Sequence, residues 1–207
     1  MNEGPATVYV VDDDVSVRDA ICGLLRSVGL TARTFGSTRE FMEKYTSDGP
    51  RCLVLDVRLP GSSGLEFQGE LTAANIALPI VFITGHGDIP MSVRAMKAGA
   101  IQFLTKPFRE QDLLDAVREA LDRDRARRSR AADTSSLRGR FKTLTAREAQ
   151  VMELVAQGKA NKEIAAELGT SEVTVKIQRG RVMRKMEAGS AVDLARMADA
   201  LRSNTSV

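Results

Sequence analysis

The stretch LVLDVRLPG, Leu53 to Gly61, holds a short apolar run, one carboxylate and a Pro-Gly turn. An apolar run of this length closed by a turn reads as a strand buried on both faces, with Asp56 at its carboxyl end. Four more stretches of strand length occur in the first half: TVYVV (7–11), TARTF (31–35), PIVFI (79–83) and AIQFL (100–104). Helical spacing separates them. In VSVRDAICGLLRSVG, for example, Val17, Ile21, Leu24, Leu25 and Val28 recur at i, i+3/i+4, and Gly29 ends the run. Strand and helix alternate five times, and the strands at 7–11, 52–55 and 80–83 are apolar almost throughout. That pattern predicts an α/β domain of about 120 residues, a doubly wound parallel sheet with helices on both faces.

The chain has 207 residues, enough for two cores, and its charge divides the same way. Residues 1–124 carry 13 Lys/Arg against 18 Asp/Glu, a net of −5, whereas residues 125–207 carry 17 against 9, a net of +8. A basic second half suits a polyanionic partner, most often nucleic acid, and charge alone fits a solvated basic surface equally well. Cys22 and Cys52 lack metal-ligand spacing and read as small core side chains of a reducing compartment. The longest apolar run, ALPIVFI, is far short of the roughly 18 residues of a membrane span, and no leader pattern opens the chain. A soluble, cytoplasmic protein without a membrane partner is the expectation.

After the amphipathic EQDLLDAVREALDRD (110–124) comes RARRSRAADTSSLRGR, with one leucine and no apolar stripe. It reads as a linker over 124–139, into which the preceding helix can extend. Four helical patterns follow, near 145–156, 160–168, 171–186 and 190–201, separated by Gly158, Gly169 and Gly189.

In a doubly wound sheet the ligand site lies beyond the carboxyl ends of the strands. Strand one ends in Asp12-Asp13-Asp14, strand three in Asp56, strand four in Thr84-Gly85, and strand five in TKPF, with Lys106 before Pro107. Asp12, Asp13 and Asp56 brought together need a positive partner, and a hard divalent cation such as Mg²⁺ suits such oxygen ligands. Lys106 adds an ammonium and Thr84 a hydroxyl. These are the parts of phosphoryl transfer: a carboxylate nucleophile, a metal, a lysine clamp and a hydroxyl. Asp14 and Asp19 read as turn or cap residues. His86 has no ligand partner nearby and reads as a loop residue at the rim.

VYVVDDDVSVR, CLVLDVRLPGSSGLE, PIVFITGHGD and AGAIQFLTKPF, in this order, resemble the receiver domain of two-component response regulators. The resemblance covers 6–123 and implies a CheY-like sheet of order 2-1-3-4-5. It also implies that Asp56 accepts a phosphoryl group from a sensor histidine kinase. Asp12, Asp13, Asp56 and the backbone carbonyl of Arg58 would hold Mg²⁺ (or Mn²⁺), Lys106 would pair with the phosphoryl oxygens, and Thr84 and Phe103 would be the switch pair. A cis Lys106-Pro107 bond is implied as well. The only reactions expected are self-phosphorylation and slow autodephosphorylation at Asp56, so the chain is no enzyme in the ordinary sense.

In the basic half, Thr145 with Glu148 fits a capping box, and Ser171 fits the N-cap of a third helix after the Gly169 turn. That helix can bury Val175, Val182 and Met186 and turn Thr174, Lys176, Arg181 and Arg184 elsewhere, as a helix-turn-helix requires. LTAREAQVMELVAQGKANKEIAAELGTSEVTVKIQRGRVMRKM resembles the LuxR-type DNA-binding domain of the FixJ and NarL regulators. The resemblance implies a four-helix domain over 140–205 that binds double-stranded promoter DNA as a dimer. Lys162, Thr174, Lys176, Gln178, Arg179, Arg181 and Arg184 are its candidate DNA contacts. Gln178 stands where the family often has His, and Gly180 is unusual inside a recognition helix, costing up to about 1 kcal/mol against Ala.

The combined expectation is a transcriptional regulator that forms a homodimer on phosphorylation, binds promoters and activates RNA polymerase. One alternative is a phosphorylation-independent regulator using the receiver as a dimerisation module. Another is a Mg²⁺-dependent aspartyl-phosphate phosphatase, which needs an acid where Arg58 stands. A ligand-sensing quorum regulator fits the second half but not the first.

Overall fold

The computed structural model describes residues 4–46 and 48–203, so positions 204 and 205 of the expected second domain lie outside the described residues. Five parallel strands form one sheet: β1 (Thr7–Val11), β2 (Thr31–Phe35), β3 (Arg51–Asp56), β4 (Ile80–Thr84) and β5 (Gln102–Thr105). Their order is β2-β1-β3-β4-β5, as expected. The three strands read as apolar throughout occupy the centre, and the two mixed ones are the edges. Burial on both faces requires an apolar residue at every position, whereas an edge strand leaves one flank to water. The fifth strand starts two residues later than the sequence suggests, after the left-handed turn at Gly99 (φ 91°).

Alternate residues of each strand enter opposite cores. Val8, Val10, Cys52, Val54, Val81 and Ile83 pack against α1 (Val15–Ser27) and the first part of α5 (Glu110–Phe141). Tyr9, Val11, Leu53, Leu55 and Phe82 meet α2 (Thr38–Lys44), α3 (Gly64–Ala73) and α4 (Ile89–Lys97). Cys22 is half-buried and Cys52 buried, where the low-dielectric surroundings push the Cys52 thiol well up. Asp14 caps α1, accepting from the amides of Ser16 at 2.8 Å and Val17 at 3.4 Å. Val28, expected on the apolar face of α1, is exposed as its C-cap residue.

The expected linker is helix from end to end, because α5 runs 32 residues without a break. Arg125 pairs with Asp122 at 2.7 Å and Arg127 with the buried Asp124 at 2.6 Å, each three residues back. Such pairs support a helix with no apolar stripe. Close contacts divide the chain into two units, residues 4–128 and 129–203.

The second unit holds the end of α5, α6 (Ala146–Ala156), α7 (Asn161–Glu167), α8 (Glu172–Met186) and α9 (Ala191–Ser203). Leu137, Val151, Val155, Ile164, Val175, Val182, Met186 and Leu194 form its core. Both anticipated caps are present: Thr145 and Glu148 make a reciprocal box, and Ser171 Oγ accepts from Thr174 N–H at 3.1 Å. Glu148 is buried, and its carboxylate also takes Lys185 Nζ at 2.6 Å, which together with the Thr145 amide holds it below its ordinary value of 4.5. A depressed carboxylate adds stability above the unfolded pKa and loses it as pH falls through the lower folded pKa. Glu148→Ala is therefore expected to lower the stability of this unit by about 1–3 kcal/mol at neutral pH. Unfolding followed by circular dichroism should show that difference shrinking below pH about 4.

Candidate functional site

Strand order reverses between β1 and β3, which leaves a crevice at their carboxyl ends. Asp12 and Asp13 follow β1, Asp56 closes β3, Thr84 closes β4 and Lys106 follows β5. Asp12 and Thr84 are fully buried, Asp56 is 6% exposed, and Asp13 faces solvent. Asp12, Asp13 and Asp56 each offer a carboxylate oxygen, and the three oxygens lie within 4.8 Å of one another. An all-oxygen donor set with one solvent-facing member fits a hard divalent cation that keeps several waters.

Lys106 Nζ bridges the two buried acids, 2.5 Å from Asp12 Oδ2 and 2.7 Å from Asp56 Oδ2. Burial raises the Asp12 carboxyl above its ordinary value, against the opposing hydrogen bond from Lys106. Burial disfavours the Lys106 ammonium, yet the hydrogen bonds and charges of Asp12 and Asp56 outweigh it and hold its pKa above the ordinary value. The lysine thus stays cationic beside the acids. Local backbone completes the arrangement. Asp56 Oδ1 accepts from Arg58 N–H at 3.0 Å, Asp12 Oδ1 from Asp14 N–H at 2.9 Å, and Arg18 Nη1 donates to the Asp12 carbonyl at 2.6 Å. The Arg58 side chain is exposed. The Lys106-Pro107 bond is cis.

Thr84 Oγ1 accepts from the His86 amide at 3.3 Å, and His86 is exposed at the rim. Phe103 is half-buried, its ring 6.4 Å from that of Phe82. A Cβ at Gly87 would sit 2.8 Å from the Phe103 ring and 3.1 Å from the Thr84 methyl, so this loop backbone touches both residues. Gly64 is the residue that sequence reading missed. A Cβ there would lie 2.4 Å from the Asp56 carbonyl oxygen and 3.1 Å from the Val57 Cα. The two-residue strands Arg58–Leu59 and Ser62–Ser63 fold α3 back onto the acceptor loop, and only glycine fits the contact. Glycine after PGSS was the available signal.

In the second unit, Lys176, Arg181 and Arg184 lie on the exposed face of α8, and Lys162 is exposed on α7. Thr174, Gln178 and Arg179 are half-buried on its flanks. Arg179 Nη1 donates to Asn161 Oδ1 at 3.1 Å, and the Gln178 Oε1 is buried without a hydrogen-bond partner. The outward face also carries Val173 and Ile177, 69% and 53% exposed, which reading for charge overlooked. Gly180 lies on the same face with open space around it. Exposed apolar groups beside cations suit a groove that offers thymine methyls as well as phosphates.

A lysine-bridged cluster of acids at the carboxyl ends of a doubly wound sheet, on a chain that continues into a helix-turn-helix, defines a signal receiver joined to a DNA-binding module. Residues 8–118 match the response regulator receiver domain, and residues 142–198 match the bacterial regulatory proteins of the luxR family. Nodulation protein W of Bradyrhizobium diazoefficiens is 57% identical over 196 residues, covering 95% of this chain and 86% of that protein. FixJ of Azorhizobium caulinodans is 44% identical over 192 residues, 92% of this chain and 90% of the relative. The solved structure of the response regulator StyR superposes with a TM-score of 0.86 at 49% identity, covering 95% and 99% of the two chains. The chain belongs to the two-component response regulators, as a transcriptional regulator with a receiver and a LuxR-type DNA-binding domain. Among the described residues no helix is long and apolar enough to cross a membrane.

Proposed function

We propose that this regulator stores a phosphoryl group on Asp56, taken from a sensor histidine kinase, and that the phosphorylated chain dimerises in the cytoplasm to bind promoter DNA and promote transcription by RNA polymerase. The observation that carries this reading is the Lys106 ammonium held between Asp12 and Asp56 within the triad of acids. In the transfer, an Asp56 carboxylate oxygen forms the new P–O bond as the P–N bond to the kinase imidazole breaks, and the electron pair leaves on that imidazole. Asp12, Asp13, Asp56 and the Arg58 carbonyl would hold Mg²⁺ (or Mn²⁺), which supplies charge neutralisation for the phosphoryl oxygens. Lys106 then has an anionic oxygen to pair with. Thr84 offers its hydroxyl from the adjacent strand end, and Phe103, in touch with the same loop, can follow it.

Two surfaces support the partners. A groove of about 260 Å³, lined by Val17, Ile21, Leu24, Pro107 and Phe108, runs beside Lys106 and gives a kinase an apolar seat next to the acceptor. On α4, Ile89, Val93 and Met96 recur at i, i+4 and i+7 and are 80%, 44% and 44% exposed, a stripe that a second copy would cover. Dimerisation matters because two weak half-site domains joined together gain an effective concentration that neither has alone. The phosphatase alternative finds an arginine at position 58, where a leaving group needs an acid.

The test compares solution mass and retention of genomic DNA fragments with and without beryllofluoride and Mg²⁺. A doubled mass and stronger retention are expected on addition, and a chain that binds DNA equally as an unmodified species overturns the phosphorylation switch. Lys176→Ala or Arg181→Ala is expected to weaken the DNA complex about tenfold each with phosphoryl labelling intact. Gel shifts unchanged by both substitutions would remove α8 from the interface.

A further inference from the structure

From Arg125 to Lys142 the chain holds seven Lys/Arg and a single acid, Asp133. Arg125 pairs with Asp122, Arg127 with Asp124 and Arg140 with Glu187. In the second unit, Arg130 and Arg138 are exposed along the tail of α5, and Lys142 one residue beyond it. Among the described residues no carboxylate stands within salt-bridge distance of Arg130 or Lys142. With the acid Asp133 and the small residues Ala131, Ser135 and Gly139 they line an open groove of about 960 Å³. A solvated helix generally intersperses both signs, as the earlier turns of α5 do. This tail does not.

The tail is also fixed to the recognition helix. Arg140 Nη1 donates to the Met186 carbonyl at 2.9 Å, and Lys185 Nζ to the Thr143 carbonyl at 2.9 Å. The end of the α5 segment therefore sits against the carboxyl end of α8, where Arg181 and Arg184 are exposed. From residue 130 to 142 the tail spans about 18 Å, the reach of several phosphates of one strand at about 3.4 Å each.

We propose that the end of α5 and the residue just after it form a second DNA-contacting element, with Arg130 and Lys142 pairing with backbone phosphates beside the stretch read by α8. This rests on the DNA-binding reading of α8 and extends it to the segment between the two domains. Phosphate contacts carry no base information, so the tail adds affinity without choosing sequence.

The test uses the full chain with beryllofluoride and Mg²⁺ and a mixed-sequence duplex of about 40 base pairs, with affinity measured by anisotropy between about 50 and 200 mM salt. The double variant Arg130→Gln with Lys142→Gln is expected to lower the steepness of log affinity against log salt by about 1–2 for each chain bound. Affinity at the lower salt should fall at least about threefold, with an unchanged circular dichroism melt. A slope and affinity equal to those of the parent overturn the proposal, and leave an acidic protein surface as the tail's partner. Lys176→Ala with Arg181→Ala in the same assay keeps the two ideas apart. If that variant binds normally while the tail variant is weakened, the tail contact stands and the placement of α8 fails.

Discussion

Asp56→Asn is expected to leave the chain wholly unlabelled by a small phosphodonor in Mg²⁺, with no acid-stable or acid-labile label elsewhere. Asn keeps the shape and the acceptor oxygen for the Arg58 amide, now 3.0 Å from Asp56 Oδ1, so the loop has no reason to move. What is lost is the anionic nucleophile and one of the two carboxylates holding Lys106. The variant should also show no rise in mass or DNA retention with beryllofluoride. Radiolabelling and mass spectrometry read the result directly, and a label of normal extent would move the acceptor to another acid, Asp13 being the exposed member of the triad.

Gly64→Ala is expected to damage both stability and phosphorylation although residue 64 carries no reactive group. The added methyl would meet backbone, with the Asp56 carbonyl oxygen at 2.4 Å and the Asp56 carbonyl carbon at 3.2 Å. Backbone cannot rotate away as a flexible side chain can, so α3 or the acceptor loop must shift, at a cost of about 1–3 kcal/mol. Any shift passes into Asp56 and the Arg58 amide, and labelling should slow at least about tenfold, since displacements near 1 Å cost that much or more in an oriented reaction. A melting temperature and a labelling rate both equal to the parent's would show that this contact is not tight. Gly61→Ala is a useful contrast: its φ of 77° is strained for alanine, but nothing lies within 4 Å of the added methyl.

Much of this protein can be read from its residues because the constraints act locally. Continuous apolar runs at 7–11, 52–55 and 80–83 require burial on both faces, and those strands take the centre of the sheet. Asp14 caps its helix, Thr145 and Glu148 cap another, and Ser171 a third, since each needs only neighbours three residues away. The linker was harder. Its helix is sustained by Asp–Arg pairs rather than an apolar stripe, and periodicity of hydrophobic residues does not register such pairs.

The division among the polar residues of α8 also arises from packing. Thr174, Lys176, Gln178 and Arg179 are polar alike in the sequence, yet only Lys176 of the four lies on the exposed face, and Arg179 is tied to Asn161 on another helix. Val173 and Ile177 point outward because Val175, Val182 and Met186 already fill the one face of α8 that the core can accept. The sequence by itself determined the element order, the two-part charge and the identity of the acids and the lysine at the strand ends, all carried by short-range pattern. Only the tertiary structure decided which carboxylates Lys106 bridges, that Gly64 must lack a side chain, and that the tail of α5 joins the end of α8. Those depend on distances between residues far apart in the chain, which packing of helices on a twisted sheet sets and local propensity does not.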